Sequence, residues 1–122
     1  MFKVSKEMMI SATHRVREHQ GGCERIHGHN WKILVTVGSK ELNNMGMVID
    51  FKDLKHAMHK IIMPMDHNDI NVYPPFDVIN PTSENLAKFI FDEMSIELND
   101  ERKKIVEVKV YETDTSAATY SI

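Results

Sequence analysis

From Phe2 to His14 apolar side chains recur at every second position, as Phe2, Val4, Met8, Ile10 and Ala12, with Lys6 breaking the series and His14 ending it. Period two is the signature of a strand with one covered face. The turn-rich stretch His19-Gln20-Gly21-Gly22 separates it from a second alternating run. There Trp31, Ile33, Val35 and Val37 share a face, and counting backwards places His27 and His29 on the same face. Beyond Asn43-Asn44 the apolar run from Met45 to Ile49 predicts a short third strand. The period then lengthens. Phe51, Leu54, Met58, Ile61 and Ile62 fall at helical spacing, with Asp50 as N-cap, Asp53 complementing the helix dipole and Pro64 as the stop.

Met65 to Asn80 is polar and proline-punctuated, which predicts an irregular segment suited to carrying functional residues. Asn80-Pro81-Thr82-Ser83-Glu84 opens a second helix running to about Leu98, with Leu86, Phe89, Ile90 and Met94 inward. Val106, Val108 and Val110 then alternate with Glu107 and Lys109, and Ala117 to Ile122 pairs beside them after a turn. Strand-like runs followed by helices and again by strands predict an α+β domain spanning residues 1–122, most simply an antiparallel sheet with two helices on one face.

Composition narrows the function. A chain of 122 residues builds one hydrophobic core, and a hydrophobic share of 42% with 27% charged residues is that of a soluble globular protein. No apolar run approaches the roughly 20 residues that cross a bilayer, and the opening MFKVSKEMM is interrupted by lysines where a signal peptide would be apolar. A cytoplasmic location is expected. The net charge of −3, with scattered basic residues, provides no footprint for nucleic acid or an anionic membrane. A single cysteine, Cys23, cannot form an internal disulfide and is a small hydrophobe, a metal ligand or a reactive thiol.

The chemistry gathers at the strand ends. His27-Gly28-His29 points two imidazoles to one face, and antiparallel pairing of the first two strands brings His14 to the same point. Three nitrogen donors are what a catalytic zinc takes when its fourth position is left for water or substrate; spacing alone equally allows three unrelated histidines closing strands. Glu112 continues the Val106, Val108, Val110 face, so a carboxylate stands where an apolar side chain is expected and needs a partner. His56 and His59 lie on the polar side of the first helix and read as a solvated face. His19 reads as loop. Arg15 and Arg25 are either solvated or available to a polyphosphate.

Read together, the motifs resemble the 6-pyruvoyltetrahydropterin synthase and 6-carboxytetrahydropterin synthase family. The resemblance runs through Ala12-Thr13-His14-Arg15, Cys23-Glu24-Arg25-Ile26-His27-Gly28-His29, Gly46-Met47-Val48-Ile49-Asp50-Phe51, Asp66-His67-Asn68-Asp69-Ile70-Asn71, Asn80-Pro81-Thr82-Ser83-Glu84-Asn85-Leu86-Ala87 and Val110-Tyr111-Glu112-Thr113. It implies the tunnelling fold (T-fold), an antiparallel four-stranded sheet with two helices on one face. In that fold subunits join their sheets into a barrel, as trimers or hexamers with active sites between chains. It further implies that His14, His27 and His29 bind Zn2+, that Cys23 is the catalytic thiol, and that Asp66 and His67 form a second catalytic pair relaying protons. Glu112 would accept two hydrogen bonds from the pterin amino group and ring N–H, assisted by Thr82 and Ser83, which are also natural helix caps.

The three residues between Cys23 and His27 resemble the carboxytetrahydropterin synthases of queuosine biosynthesis, the pyruvoyl enzymes having a longer interval. The implied reaction takes 7,8-dihydroneopterin triphosphate to 6-carboxy-5,6,7,8-tetrahydropterin, acetaldehyde and triphosphate. Glu24 occupies the position at which a folate branch carries a glutamate and makes 6-hydroxymethyl-7,8-dihydropterin, so a dual activity is a second reading. A reading from another class is a zinc- and pterin-binding module without catalysis; Cys23, Asp66, His67 and Glu112 standing together argue against it.

Overall fold

The computed structural model describes residues 1–18 and 25–122; Cys23, Glu24 and His19 lie outside the described residues. Four strands, β1 (Phe2–His14), β2 (His27–Ser39), β3 (Lys103–Thr113) and β4 (Ser116–Ser121), form one antiparallel sheet in the order β1-β2-β3-β4. Helices α1 (Phe51–Ile62) and α2 (Ser83–Leu98) cover one face. Ile10, Ala12, Trp31, Ile33, Val35, Val37, Val108 and Val110 from the sheet meet Leu54, Ala57, Met58, Ile62, Leu86, Ala87, Ile90, Phe91 and Met94 from the helices. The expected α+β architecture is therefore the observed one.

Local chemistry accounts for the element ends. The Asp50 side chain accepts from Lys52 N–H at the start of α1, and Thr82 accepts from Asn85 N–H at the start of α2, each satisfying a donor that the helix leaves orphaned. Pro64 stops α1 as expected, although Met63–Met65 continues for one 3-10 turn.

Four expectations are corrected. Met45 to Ile49 is not a strand. Asn43 folds the segment on itself: its Oδ1 accepts from the N–H groups of Met45 and Met47, and Gly46 sits at φ +78. These side-chain bonds offer the backbone an alternative to a ladder, while Val48 and Ile49 are still buried. Phe51, expected in the buried stripe of α1, opens the helix and remains 53% exposed; Ala57 joins the stripe instead.

The Met65 to Asn80 segment is less polar in effect than its composition suggests. Met65, Ile70 and Phe76 are completely buried, and Ile70–Val72 forms a 3-10 turn. Lastly, Val106 does not share the inner face of β3. A bulge sets Ile105 opposite Val37 and Glu107 opposite Thr36, so Ile105 enters the core and Val106 packs over Gly38. Among the described residues no helix is long and apolar enough to cross a membrane.

Candidate metal centre

Antiparallel register builds the site. His14 pairs directly with His27, and Ala12 with His29, so three imidazoles from two neighbouring strands share the helix-side face at the end of the sheet. Trp31, 1% exposed, lies next along β2 and meets the His14 and His29 rings edge-on at 4.7 and 5.3 Å between centroids. Its indole N–H donates to the Ala12 carbonyl. An apolar wall with its polar atom satisfied thus backs the histidines.

The hydrogen bonds fix the ring tautomers. His14 Nδ1 lies 2.8 Å from the Pro81 carbonyl and His27 Nδ1 lies 2.6 Å from the Arg25 carbonyl. A carbonyl only accepts, so each Nδ1 carries the proton and each Nε2 presents a lone pair. Those two Nε2 atoms are 3.2 Å apart. Two lone pairs facing each other at that distance repel unless a cation or proton lies between them. His29 Nε2 is buried without a hydrogen-bond partner, although Glu112 Oε1 approaches it to 3.0 Å out of hydrogen-bond alignment.

Donor atoms of His14, His27, His29 and Glu112 all lie within 4.8 Å of one another, and the four together could hold a metal ion. Zinc–nitrogen bonds of about 2.0–2.1 Å at tetrahedral angles place donors about 3.3 Å apart, which suits the observed His14–His27 spacing. Burial pushes the pKa of both His14 and His29 down, against the opposing pull of the Glu112 charge. That keeps the imidazoles in the neutral form a metal requires. An orphaned buried nitrogen, two opposed lone pairs and an imidazole–carboxylate donor set therefore fit a zinc ion.

Glu112 arrives by a second bulge. Tyr111 pairs with Ala117 and Thr113 with Ser116, leaving Glu112 as the extra residue of β3 and aiming it at the histidines. Its Oε2 takes a long hydrogen bond, 3.4 Å, from Ser83 Oγ in the first turn of α2. Thr82 caps that helix and makes no described bond to the cluster.

Asp66 and His67 are brought together with each other but not with the cluster. Asp66 Oδ2 holds His67 Nδ1 at 2.9 Å, and Asp66 Oδ1 accepts from the Ser11 N–H at 2.8 Å, the main reason its pKa is lowered. The His67 backbone, at φ +58, donates to the Ser11 carbonyl, so the pair is strapped along the edge of β1. The His67 side chain is 81% exposed. It borders a cleft of about 480 Å³ lined by Ser11, Thr13, Gly28 and Asn30, which alternate with the histidine positions along the strands, and also by Ala12 and His29.

Several supporting residues had no sequence signal of their own. Asn71 pairs with the backbone of Arg15 and Asn80 with that of Arg17, each amide both donating and accepting as a strand partner would. The Arg17 guanidinium also donates to the carbonyls of Phe76, Ile79 and Asn71. The Pro81 carbonyl that orients His14 is held on the same segment, between Asn80 and the Thr82 cap. Asparagines in the polar stretch were the only available hint. Arg15 is exposed and bonded through its backbone alone among the described residues, and His56 and His59 are exposed as expected.

Comparisons with known proteins bear on the family and the fold. The 6-pyruvoyl tetrahydropterin synthase family matches residues 3–122. The chain is 34% identical to the 6-carboxy-5,6,7,8-tetrahydropterin synthase of Haemophilus influenzae, covering 98% of this chain and 99% of that one. It is 35% identical to the human 6-pyruvoyl tetrahydrobiopterin synthase, over 97% of this chain and 90% of the other. Among solved structures, Caenorhabditis elegans 6-pyruvoyl tetrahydropterin synthase superposes with a TM-score of 0.85 at 25% identity, covering 99% and 95% of the two chains.

Proposed function

This chain belongs to the 6-pyruvoyl tetrahydropterin synthase family, and from that premise we propose that it is a carbon–carbon lyase of queuosine biosynthesis. It converts 7,8-dihydroneopterin triphosphate and one water to 6-carboxy-5,6,7,8-tetrahydropterin, acetaldehyde and triphosphate, as one pterin synthase domain over residues 1–122 acting in the cytoplasm. The observation that carries the reading is the convergence of three Nε2 atoms and one carboxylate at the sheet end. Relatives from Haemophilus influenzae and Bacillus subtilis bearing the 6-carboxy name support the choice of product, as does the interval from Cys23 to His27.

His14, His27 and His29 hold Zn2+. The bound ion supplies Lewis-acid polarisation of the substrate side-chain hydroxyls. Glu112 anchors the pterin by accepting from its amino group and ring N–H, with Ser83 steadying the second oxygen and Thr82 fixing the helix start beside it. Cys23, which falls between the two histidine-bearing strands in sequence, serves as thiolate base toward the side chain. Asp66 orients His67 through its Nδ1, the arrangement of a proton relay.

His67 is exposed and borders a cleft that His29 also lines; the chain acts as a homo-oligomer, a trimer or hexamer, in which the Asp66–His67 pair serves the substrate of a neighbouring copy. Glu24 beside Cys23 favours a second reading, additional release of 6-hydroxymethyl-7,8-dihydropterin. Product analysis of the zinc-loaded protein with 7,8-dihydroneopterin triphosphate decides. The 6-carboxy product should vanish in Cys23→Ala and persist in Glu24→Ala; 6-hydroxymethyl product lost only in Glu24→Ala establishes the dual activity, and pterin binding without turnover refutes catalysis.

A further inference from the structure

Glu112 is placed for two tasks that it cannot perform at once. Its Oε1 lies 3.0 Å from His29 Nε2 and 3.7 Å from His14 Nε2, inside the ring of lone pairs. Among the described residues it is the only carboxylate that converges there. Three imidazoles and one carboxylate oxygen complete a tetrahedral donor set, and a site closed by four protein donors has no vacancy for substrate. Yet accepting a pterin's amino group and ring N–H requires both oxygens of the same carboxylate to face the ligand.

We propose that Glu112 is the fourth protein donor of the resting metal centre and that pterin binding withdraws it, so that the coordination position opens only when the ring is seated. The inference rests on the reading of Glu112 as the pterin anchor. Three further features suit an exchangeable donor. Glu112 projects from a bulge, where the ladder does not hold the backbone on the β4 side. Its side chain is 30% exposed, unlike His14 at 2%, leaving it a path out of the cluster. Among the described residues its other oxygen rests only on Ser83 Oγ, a long bond that gives way at small cost.

The consequence is selectivity by sequence of events. Triphosphate compounds without a pterin ring do not displace the carboxylate and do not gain the metal. An isolated ion pair of His29 with Glu112 would put the same atoms close together without this coupling.

Cobalt(II) substitution tests it without turnover. The metal-free protein is loaded with Co2+ and its visible d–d spectrum recorded before and after saturation with 6-methylpterin, a pterin with no side-chain hydroxyls, whose binding is followed by calorimetry. The wild type should show intense four-coordinate bands that change on pterin binding. Glu112→Gln, nearly isosteric, should bind Co2+ roughly tenfold or more weakly and start with an altered spectrum. Pterin that binds the wild type with no change in its cobalt bands overturns the withdrawal while leaving the anchor intact, and needs no variant to fold. Equal Co2+ affinity and spectrum in Glu112→Gln overturn the ligation. Undiminished 6-methylpterin binding to Glu112→Gln instead removes the anchor itself.

Discussion

The molecule holds two kinds of histidine, distinguished by the oxygen that grips Nδ1. In His14 and His27 it is a backbone carbonyl, within a cluster walled by Trp31. In His67 it is the Asp66 carboxylate, at the exposed edge of β1. A carbonyl orients the ring yet adds no charge and accepts the Nδ1 proton, so the far nitrogen offers a lone pair. A carboxylate orients the ring as well, but places a full negative charge beside Nδ1 at a position open to solvent. One residue type is thus held by two different partners, a neutral carbonyl inside the cluster and a charged carboxylate at the surface. His56 and His59, exposed on α1 with no such partner among the described residues, are the reference case.

Deleting one member of each class gives the largest contrast. His27→Ala should weaken metal retention on the order of 100-fold or more and abolish turnover, whereas His67→Ala should keep its full metal content and lose about 10²–10⁴-fold in kcat. Metal analysis after dialysis, alongside initial rates, reads both. A His67→Ala protein that loses its metal would erase the distinction. Next in size is the effect of the metal on stability. A ligand at 100 times its Kd stabilises the native state by about 2.7 kcal/mol, so zinc should raise the melting temperature of wild type and His67→Ala but not of His27→Ala.

A smaller effect concerns acid. The Asp66 pKa is lowered in the folded protein, chiefly by the Ser11 N–H and then by His67. Its contribution to stability is therefore complete above the unfolded value of about 3.9 and is lost as pH falls through the lower folded value. Asp66→Asn should unfold more readily than wild type at neutral pH, with the gap closing below about pH 4 in urea titrations. A gap that widens in acid would contradict the assigned bonds. The smallest effect belongs to the reference pair: His56→Ala and His59→Ala should leave metal content, rate and melting temperature within error.

Much of this contrast was legible in the chain and some was not. Alternation placed His14, His27 and His29 on one face because the period of a strand is insensitive to distant context. The helices followed from spacing and caps for the same reason. Met45 to Ile49 misled because a short apolar run does not distinguish a strand from buried loop residues, and the decisive Asn43 bonds are side-chain events. Glu112 continues the phase of Val108 and Val110 as the alternation predicts, but not that of Val106, which the first bulge sets apart, and the second bulge at Glu112 itself had no local signal. The Pro81 carbonyl, 67 residues from His14, was beyond any local pattern.

The chain contains one tryptophan, and Trp31 packs edge-on against two of the three clustered imidazoles. The indole is thereby a built-in optical gauge of the site. Its emission should respond to the charge and occupancy of the histidines, dimming when a paramagnetic ion such as Co2+ enters and recovering on chelation. The fluorescence of the unlabelled protein then gives filling kinetics in real time, with no competing tryptophan background from elsewhere in the chain.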